Sequence, residues 1–283
     1  MSNPHELPQA TWRLVNTGYN DGATNMAIDE AIMQAVAEEE APPTLRLYGW
    51  DPPCVSVGYA QSMCSEIDLE ACRRRGYTWV RRPTGGRAIL HIDELTYSVV
   101  APENEARVSG DIITSYRRLS TGLVEGLKTL VSDVDQAGLV ESARSIEKSA
   151  ACFDVPSHYE VTAHGRKLVG SAQVRRMGVV LQHGALPLEG NVTRLVEVLA
   201  LSEQDREGLR EKLRQRAIAL DEAVGRVIPF GEAAKAISGG FAKALNLNLE
   251  PGVLSPFELA ATDRLRSRYL SDDWTLASRR FAL

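Results

Sequence analysis

The chain lacks any apolar run approaching the length of a membrane span, which points away from a membrane-crossing helix. It has no internal repeat and no low-complexity tract, so neither a solenoid nor a disordered array is expected. Its four cysteines, Cys54, Cys64, Cys72 and Cys152, form no CxxC pair and have no histidines at zinc spacing. A structural zinc site and a disulfide framework are therefore not expected, and a core of 283 residues needs no such staple. Residues 1–9 are polar, unlike a secretory signal, so free thiols in the cytoplasm are the expected state. The net charge of −5 argues against a general nucleic-acid binder. No Walker loop or dinucleotide fingerprint is present.

The hydrophobic pattern predicts a strand-rich α+β core followed by helices. Residues 11–16 read as a strand. A helix with Ile28, Ala31, Ile32, Ala35 and Val36 on its apolar face follows, capped by Thr24 or Asn25. Strands are expected at 44–50, 54–58, 77–81, 88–91, 95–100, 159–163, 167–172 and 179–182, with His164 and Gly165 turning a hairpin. Helices are expected at 65–75 and 115–130, and beyond residue 190 at 191–200, 202–225, 231–245 and 255–270. The last opens with the capping box Ser255-Pro256-Phe257-Glu258. Residues 245–248 with Pro251-Gly252 read as a hinge. The division that follows is a catalytic domain at 12–248, strand-rich to about residue 190, and a C-terminal helical extension at 249–283.

Cys152 and Lys167 carry the chemistry. A thiol nucleophile needs a neighbour that favours its thiolate, and an ammonium supplies one. A lysine flanked by Leu168 and Val169 is poorly solvated, which lowers its pKa and suits it to proton transfer. A second feature is the loop Arg81-Arg82-Pro83-Thr84-Gly85-Gly86-Arg87, whose adjacent glycines let the backbone approach a ligand closely. Of His91, His158 and His183, His91 ranks first because it lies just past this loop, where it would orient the loop or a carbonyl.

Residues 81–98 as a block resemble the glycine-loop signature of the biotin/lipoate ligase and transferase superfamily. Three other segments are similar to that family as well: Asn25-Met26-Ala27-Ile28-Asp29-Glu30-Ala31, Leu45-Arg46-Leu47-Tyr48 through Pro52-Pro53, and Gly165-Arg166-Lys167-Leu168-Val169-Gly170-Ser171-Ala172-Gln173. Arg87 stands where lipoate ligases place a third glycine, and Glu94-Leu95-Thr96-Tyr97-Ser98 replaces their Gly-Asn-Leu-Asn segment. That pattern resembles the LipM-type octanoyltransferase branch. One departure is the spacing His91-Ile92-Asp93, where the family usually has Asp directly after the histidine.

The resemblance implies a mixed or antiparallel central sheet with flanking helices. It also implies transfer of octanoyl from acyl carrier protein to a lysine of a lipoyl-type domain, such as glycine cleavage H protein, through a thioester. The acyl-thioester cysteine falls on Cys152 and its partner on Lys167. Substrate would be bound by Arg82, Thr84, Gly85, Gly86, Arg87, His91, Gly170, Ser171 and Ala172. No cofactor and no metal are expected, because a thioester runs downhill to an amide without ATP. A monomer that meets neither nucleic acid nor membrane is expected. The clusters Arg73-Arg74-Arg75 and Arg175-Arg176 would meet acidic partners. Leu14, Val57, Val99 and Val169 are candidates to line an acyl tunnel. Rival readings are an ATP-dependent lipoate–protein ligase, an octanoyl amidotransferase acting between lipoyl domains, and a non-catalytic scaffold on this fold.

Overall fold

A computed structural model describes residues 7–137 and 160–277. Cys152 and His158 lie outside the described residues. In chain order the elements begin β1 (Ala10–Asn20), α1 (Gly22–Ala37), β2 (Thr44–Trp50), β3 (Cys54–Val57), α2 (Met63–Glu66), α3 (Leu69–Arg74), β4 (Thr78–Arg81), β5 (Ile89–His91) and β6 (Glu94–Pro102). They continue with α4 (Ile112–Leu127), β7 (Val134–Ala137), β8 (Glu160–Ala163), β9 (Arg166–Arg176), β10 (Val179–Pro187) and a 3-10 turn at Arg194–Val198. The chain then adds α5 (Glu203–Arg216), α6 (Leu220–Val224), α7 (Phe230–Ala244), β11 (Leu247–Gly252), α8 (Pro256–Leu270) and α9 (Asp272–Thr275).

Eight strands form one mixed sheet in the order β11-β1-β2-β6-β10-β9-β8-β7, and β4-β3-β5 form a second, smaller sheet. This is the α+β architecture that the sequence pattern predicts. One face of the large sheet carries the main core, where Tyr97, Val99 and Val180 meet Leu123, Ile237 and Phe241 of α4 and α7. These two helices touch backbone to backbone. A Cβ on Gly240 would run into the Gly126 nitrogen and the Gly122 carbonyl, so only glycine fits there. The opposite face carries α1 and, beside it, the site.

Several boundaries differ from the sequence reading. Asp21, not Thr24 or Asn25, caps α1: its Oδ1 accepts from the Thr24 N–H at 2.9 Å. Asn25 is drawn inward instead, where its amide donates to the Gly49 carbonyl at 2.9 Å. The helix expected at 65–75 is two short ones, because Asp68 interrupts it and caps α3 through the Ala71 N–H. Residues 191–200 form only a 3-10 turn, and 202–225 break between α5 and α6. β10 runs on to Pro187, so His183 is in mid-strand and pairs with Ser98 and Ala172. His164 and Gly165 both take positive φ, 50° and 72°, as the predicted β8–β9 turn requires.

The stretch read as a hinge is β11, paired in parallel with β1 from Ala10↔Leu247 to Val15↔Gly252. The position 248/249 falls inside this strand. Past it, the capping box of α8 is present as expected. Its Glu258 is fully buried and forms a two-point ion pair with Arg13 of β1, at 2.5 and 2.9 Å. Glu258→Ala should cost about 3 kcal/mol, because it strands the Arg13 charge and removes the box together. Urea denaturation measures this, and a loss under about 1 kcal/mol would mean that solvent takes over the pair's role.

Candidate active site

A cavity opens between the large sheet and the small one. Met26, Tyr48, Trp50, Ile89 and Ala185 supply apolar wall. Arg82, His91, His183 and the stretch from Gly170 to Ala172 supply polar groups and backbone. A small concave site of this composition suits an organic ligand with one polar end.

The glycine loop closes one side and is held in shape from within. Arg82 is buried, and its Nη1 donates to Ser56 Oγ at 3.0 Å. Its Nη2 donates to the carbonyls of Gly85 at 2.9 Å and Arg87 at 2.8 Å. Gly86 takes φ +93° and faces Ala172 across the cavity edge. Gly58 lies flush against the Gly86 carbonyl, a contact any Cβ on Gly58 would block.

His91 is locked in place. Its ring stacks on Trp50 at 3.8 Å, Nε2 meets Ser56 Oγ at 2.7 Å and Nδ1 meets Glu94 Oε1 at 2.7 Å. Both nitrogens therefore have protein partners, which fits an orienting residue rather than a mobile base. Asp93, one residue later than the family spacing, sits in the β5–β6 turn with φ 49° and pairs with Arg194 at 2.7 Å.

Beneath the cavity lies a buried ionic network. Asp29 of α1 accepts from Arg46 at 2.6 Å, Tyr48 at 2.9 Å and Ser98 at 2.8 Å, and meets His183 Nδ1 at 3.3 Å. Burial works to raise the Asp29 carboxyl, but the Arg46 charge and the hydrogen bonds from His183 and Ser98 outweigh it and hold it down at about 2. Burial lowers the His183 imidazole from its ordinary value, against the pull of Asp29. On its other side, His183 Nε2 meets Thr84 Oγ1 of the glycine loop at 2.7 Å.

A β-bulge turns Lys167 to the sheet face that carries the cavity. On β8, Val161 and Ala163 face the main core. Val161 pairs with Val169, whereas Thr162 pairs with Lys167, so Leu168 is the extra residue on β9. Leu168 and Val169 both enter the core. The alternation is thereby reset, and Lys167 emerges on the opposite face, the one that Gly170 and Ala172 present to the cavity. Its side chain is 4% exposed and its Nζ lies 2.8 Å from Glu160 Oε1. The surroundings are thus not the purely apolar ones that Leu168 and Val169 suggest, since a carboxylate meets the ammonium.

Of the residues expected to bind substrate, Arg82, His91, Gly170, Ser171 and Ala172 line the cavity. Thr84, Gly85, Gly86 and Arg87 form the adjoining loop, with Arg87 turned to Glu66 at 3.6 Å. Lys167 is not among the lining residues. Neither are Leu14, Val57, Val99 and Val169, which pack into the cores instead. Sequence reasoning missed Asp29, Arg46, Trp50, Ser56 and Glu94. A usable signal was Asn25 with Asp29, two polar groups one turn apart and in line with Ile32 and Val36 of the apolar face. The remaining thiols are poor nucleophiles or lie elsewhere. Burial pushes Cys54 up to about 12 and Cys72 up to about 11, and Cys64 is exposed beside Leu276. Among the described residues no group of histidines, cysteines and carboxylates could hold a metal, and no helix is long and apolar enough to cross a membrane.

The chain matches the lipoyl protein ligase A/B catalytic domain family over residues 21–242. It is 47% identical to octanoyltransferase LipM of Kyrpidia tusciae over 93% of this chain and 98% of the relative. It is 38% identical to octanoyltransferase LipM of Bacillus subtilis over 95% of this chain and 99% of the relative. Among solved structures, a bipartite lipoate protein ligase from Thermoplasma acidophilum superposes with TM-score 0.77 at 23% identity, covering 96% of this chain and 99% of that one. Lipoate-protein ligase A bound with ATP superposes with TM-score 0.77 at 24% identity, over 95% and 100%. At those identities the likeness concerns the fold. The chain belongs to the lipoyl protein ligase A/B catalytic domain family. Within it the chain sides with the octanoyltransferases and is an acyltransferase.

The buried network contributes to the acid stability in two stages. His183 stays neutral in the fold below its ordinary 6.5, so stability begins to fall as the pH drops past that value. The Asp29 contribution is complete above its ordinary 3.8 and is lost as the pH falls through about 2. Asp29→Asn should remove this lower stage and cost about 3 kcal/mol at neutral pH by leaving Arg46 without its counter-charge. Urea melts across pH 2–8 read both effects; a variant as stable as the parent would refute the network's role.

Proposed function

We propose that the chain transfers an octanoyl group from octanoyl-acyl carrier protein to a lysine of a lipoyl-type domain, in the cytoplasm, through a thioester on Cys152. The observation that carries this reading is the bulge that turns a buried lysine, Lys167, to the cavity face of the sheet. The relatives named octanoyltransferase support the acyl group.

In the first half-reaction the Cys152 thiolate attacks the carrier thioester. The carrier sulfur leaves and takes a proton from the Lys167 ammonium. In the second half the neutral Lys167 amine accepts the proton of the attacking acceptor lysine, the amide forms, and Cys152 leaves as thiolate. The cycle closes with Lys167 charged again, beside Glu160 and ready to support the thiolate. Thioester exchange is nearly neutral and amide formation is downhill, so ATP, metal and nicotinamide have no step to drive. Gly85–Gly86 and Gly170–Ser171 are the backbone segments suited to holding the oxyanion, a contribution of about 3 kcal/mol per well-placed donor. The apolar wall of Met26, Trp50 and Ile89 suits the alkyl chain, at about 0.8 kcal/mol per buried methylene.

Mixing the protein with octanoyl-carrier protein should add one octanoyl mass on Cys152, and Cys152→Ala should abolish both adduct and transfer. Lys167→Arg should still form the adduct and stall at the acceptor, because arginine holds its proton. Intact-mass spectrometry follows each species. Transfer retained in Cys152→Ala would support an adenylate route instead.

The basic clusters are not equivalent as docking points. Arg73 pairs with Glu70, and Arg75 with Glu197 at 3.0 Å. Arg176 stacks on Tyr59 at 5.3 Å, and Arg175 bonds neutral groups near the start of α4. Neither has a carboxylate ion pair among the described residues. Arg176→Glu should therefore slow acylation from the carrier several-fold at low salt. Acylation from a small octanoyl thioester should be unchanged. Equal slowing of both donors, or of neither, would remove this face as the docking surface.

A further inference from the structure

We infer that Thr84 and His183 are positioning residues: the His183 imidazole carries the orientation of the buried Arg46–Asp29 ion pair to the Thr84 hydroxyl and so fixes the glycine loop at the cavity. The inference rests on the acyl-transfer reading for its kinetic consequence, and on the geometry alone for its structural one.

The hydrogen-bond directions follow from the charges. Asp29 is ionised and fully buried, with four donors around it. A neutral imidazole has one N–H and one bare nitrogen. The nitrogen facing a carboxylate must carry the proton, so His183 donates from Nδ1 to Asp29. Nε2 is then an acceptor, and the Thr84 hydroxyl 2.7 Å away must be the donor. This fixes the hydroxyl rotor, and Thr84 is fully buried. Its proton is committed inside the protein, so Thr84 acts on substrate through the shape of its loop.

That shape is held at successive residues. The Thr84 carbonyl accepts from the Tyr59 N–H at 2.8 Å. Arg82 grips the carbonyls of Gly85 and Arg87. Gly86, at positive φ, is pressed against Gly58. Thr84 is the point where this loop joins α1, β2 and β10, because His183 and Asp29 belong to those strands' shared network. Without the Thr84 donor, His183 Nε2 is a buried acceptor with no proton to take, and the start of the loop loses its tie to the sheet.

The test combines a spectroscopic arm and a kinetic arm on the full chain. Nitrogen-15 NMR of the histidines should show His183 protonated on Nδ1 with Nε2 hydrogen-bonded. Thr84→Val keeps the shape and removes the donor, so the Nε2 signal should shift toward that of a free nitrogen. Thr84→Ser should restore it. Cys152 acylation by a small octanoyl thioester should slow about tenfold in Thr84→Val through kcat, with KM little changed, and recover in Thr84→Ser. If Thr84→Val does not fold, Thr84→Ala removes the same donor without placing a methyl where the hydroxyl was.

A proton on Nε2 in the unaltered chain overturns the inference, as does an unchanged Nε2 signal in Thr84→Val. A shifted signal with full activity leaves the hydrogen bond in place but overturns the positioning role. Failure of the unaltered chain to acylate at all sinks the octanoyl reading instead, and the NMR arm separates that outcome.

Discussion

The Asp29 carboxylate is the constraint around which the site is arranged. Burying an ionised carboxylate is costly unless its lone pairs are filled and its charge is met. Here Arg46 supplies the charge, while Tyr48, Ser98 and His183 fill the remaining sites. These donors come from β2, β6 and β10, and Asp29 itself from α1. One carboxylate thus fixes how the helix lies on three strands, and two of its donors, Tyr48 and His183, also line the cavity. Arg46 reaches further, to the Asn25 carbonyl at 3.0 Å and its side-chain oxygen at 2.7 Å, so the first turns of α1 are held in the same grip.

A second polar chain, parallel to the first, governs the small sheet. Trp50 donates to Thr96 at 2.8 Å and lies flat on His91, whose two nitrogens reach Ser56 and Glu94. Ser56 passes the connection to Arg82 and so to the loop. The loop is therefore tied by Thr84 to the large sheet and by Arg82 to the small one. A loop held from both sides has little freedom left to lose when a ligand arrives, and that is what preorganised binding requires.

The strands of the core were legible in sequence because β-branched and aromatic runs bounded by Gly and Pro leave few alternatives; residues 44–50 match β2 end to end. The glycine loop was legible from its adjacent glycines, and the 255–270 helix from its capping box. What sequence did not show depends on distant partners. β11 reads as a polar hinge because half its side chains are exposed at a sheet edge, and only β1 makes it a strand. The bulge at Leu168 has no glycine or proline to mark it. Lys167 could be singled out as a residue, while the face it points to could not. Likewise, nothing local to Asp29 or Arg46 shows that the fold brings them together without solvent.

The far end of the chain belongs to the same argument. Arg81, the residue before the loop, is fully buried and donates to the carbonyls of Gly58, Gln61, Trp274 and Thr275. The Trp274 indole donates back to the Arg81 carbonyl at 2.8 Å. An arginine in this position gathers carbonyls from two irregular segments into one rigid corner. That corner sits where β4 gives way to the glycine loop. The loop's base is therefore set by residues almost two hundred positions downstream, much as its middle is set by His183. Local sequence supplies the glycines that let the backbone come close, and long-range polar contacts decide where it comes close to.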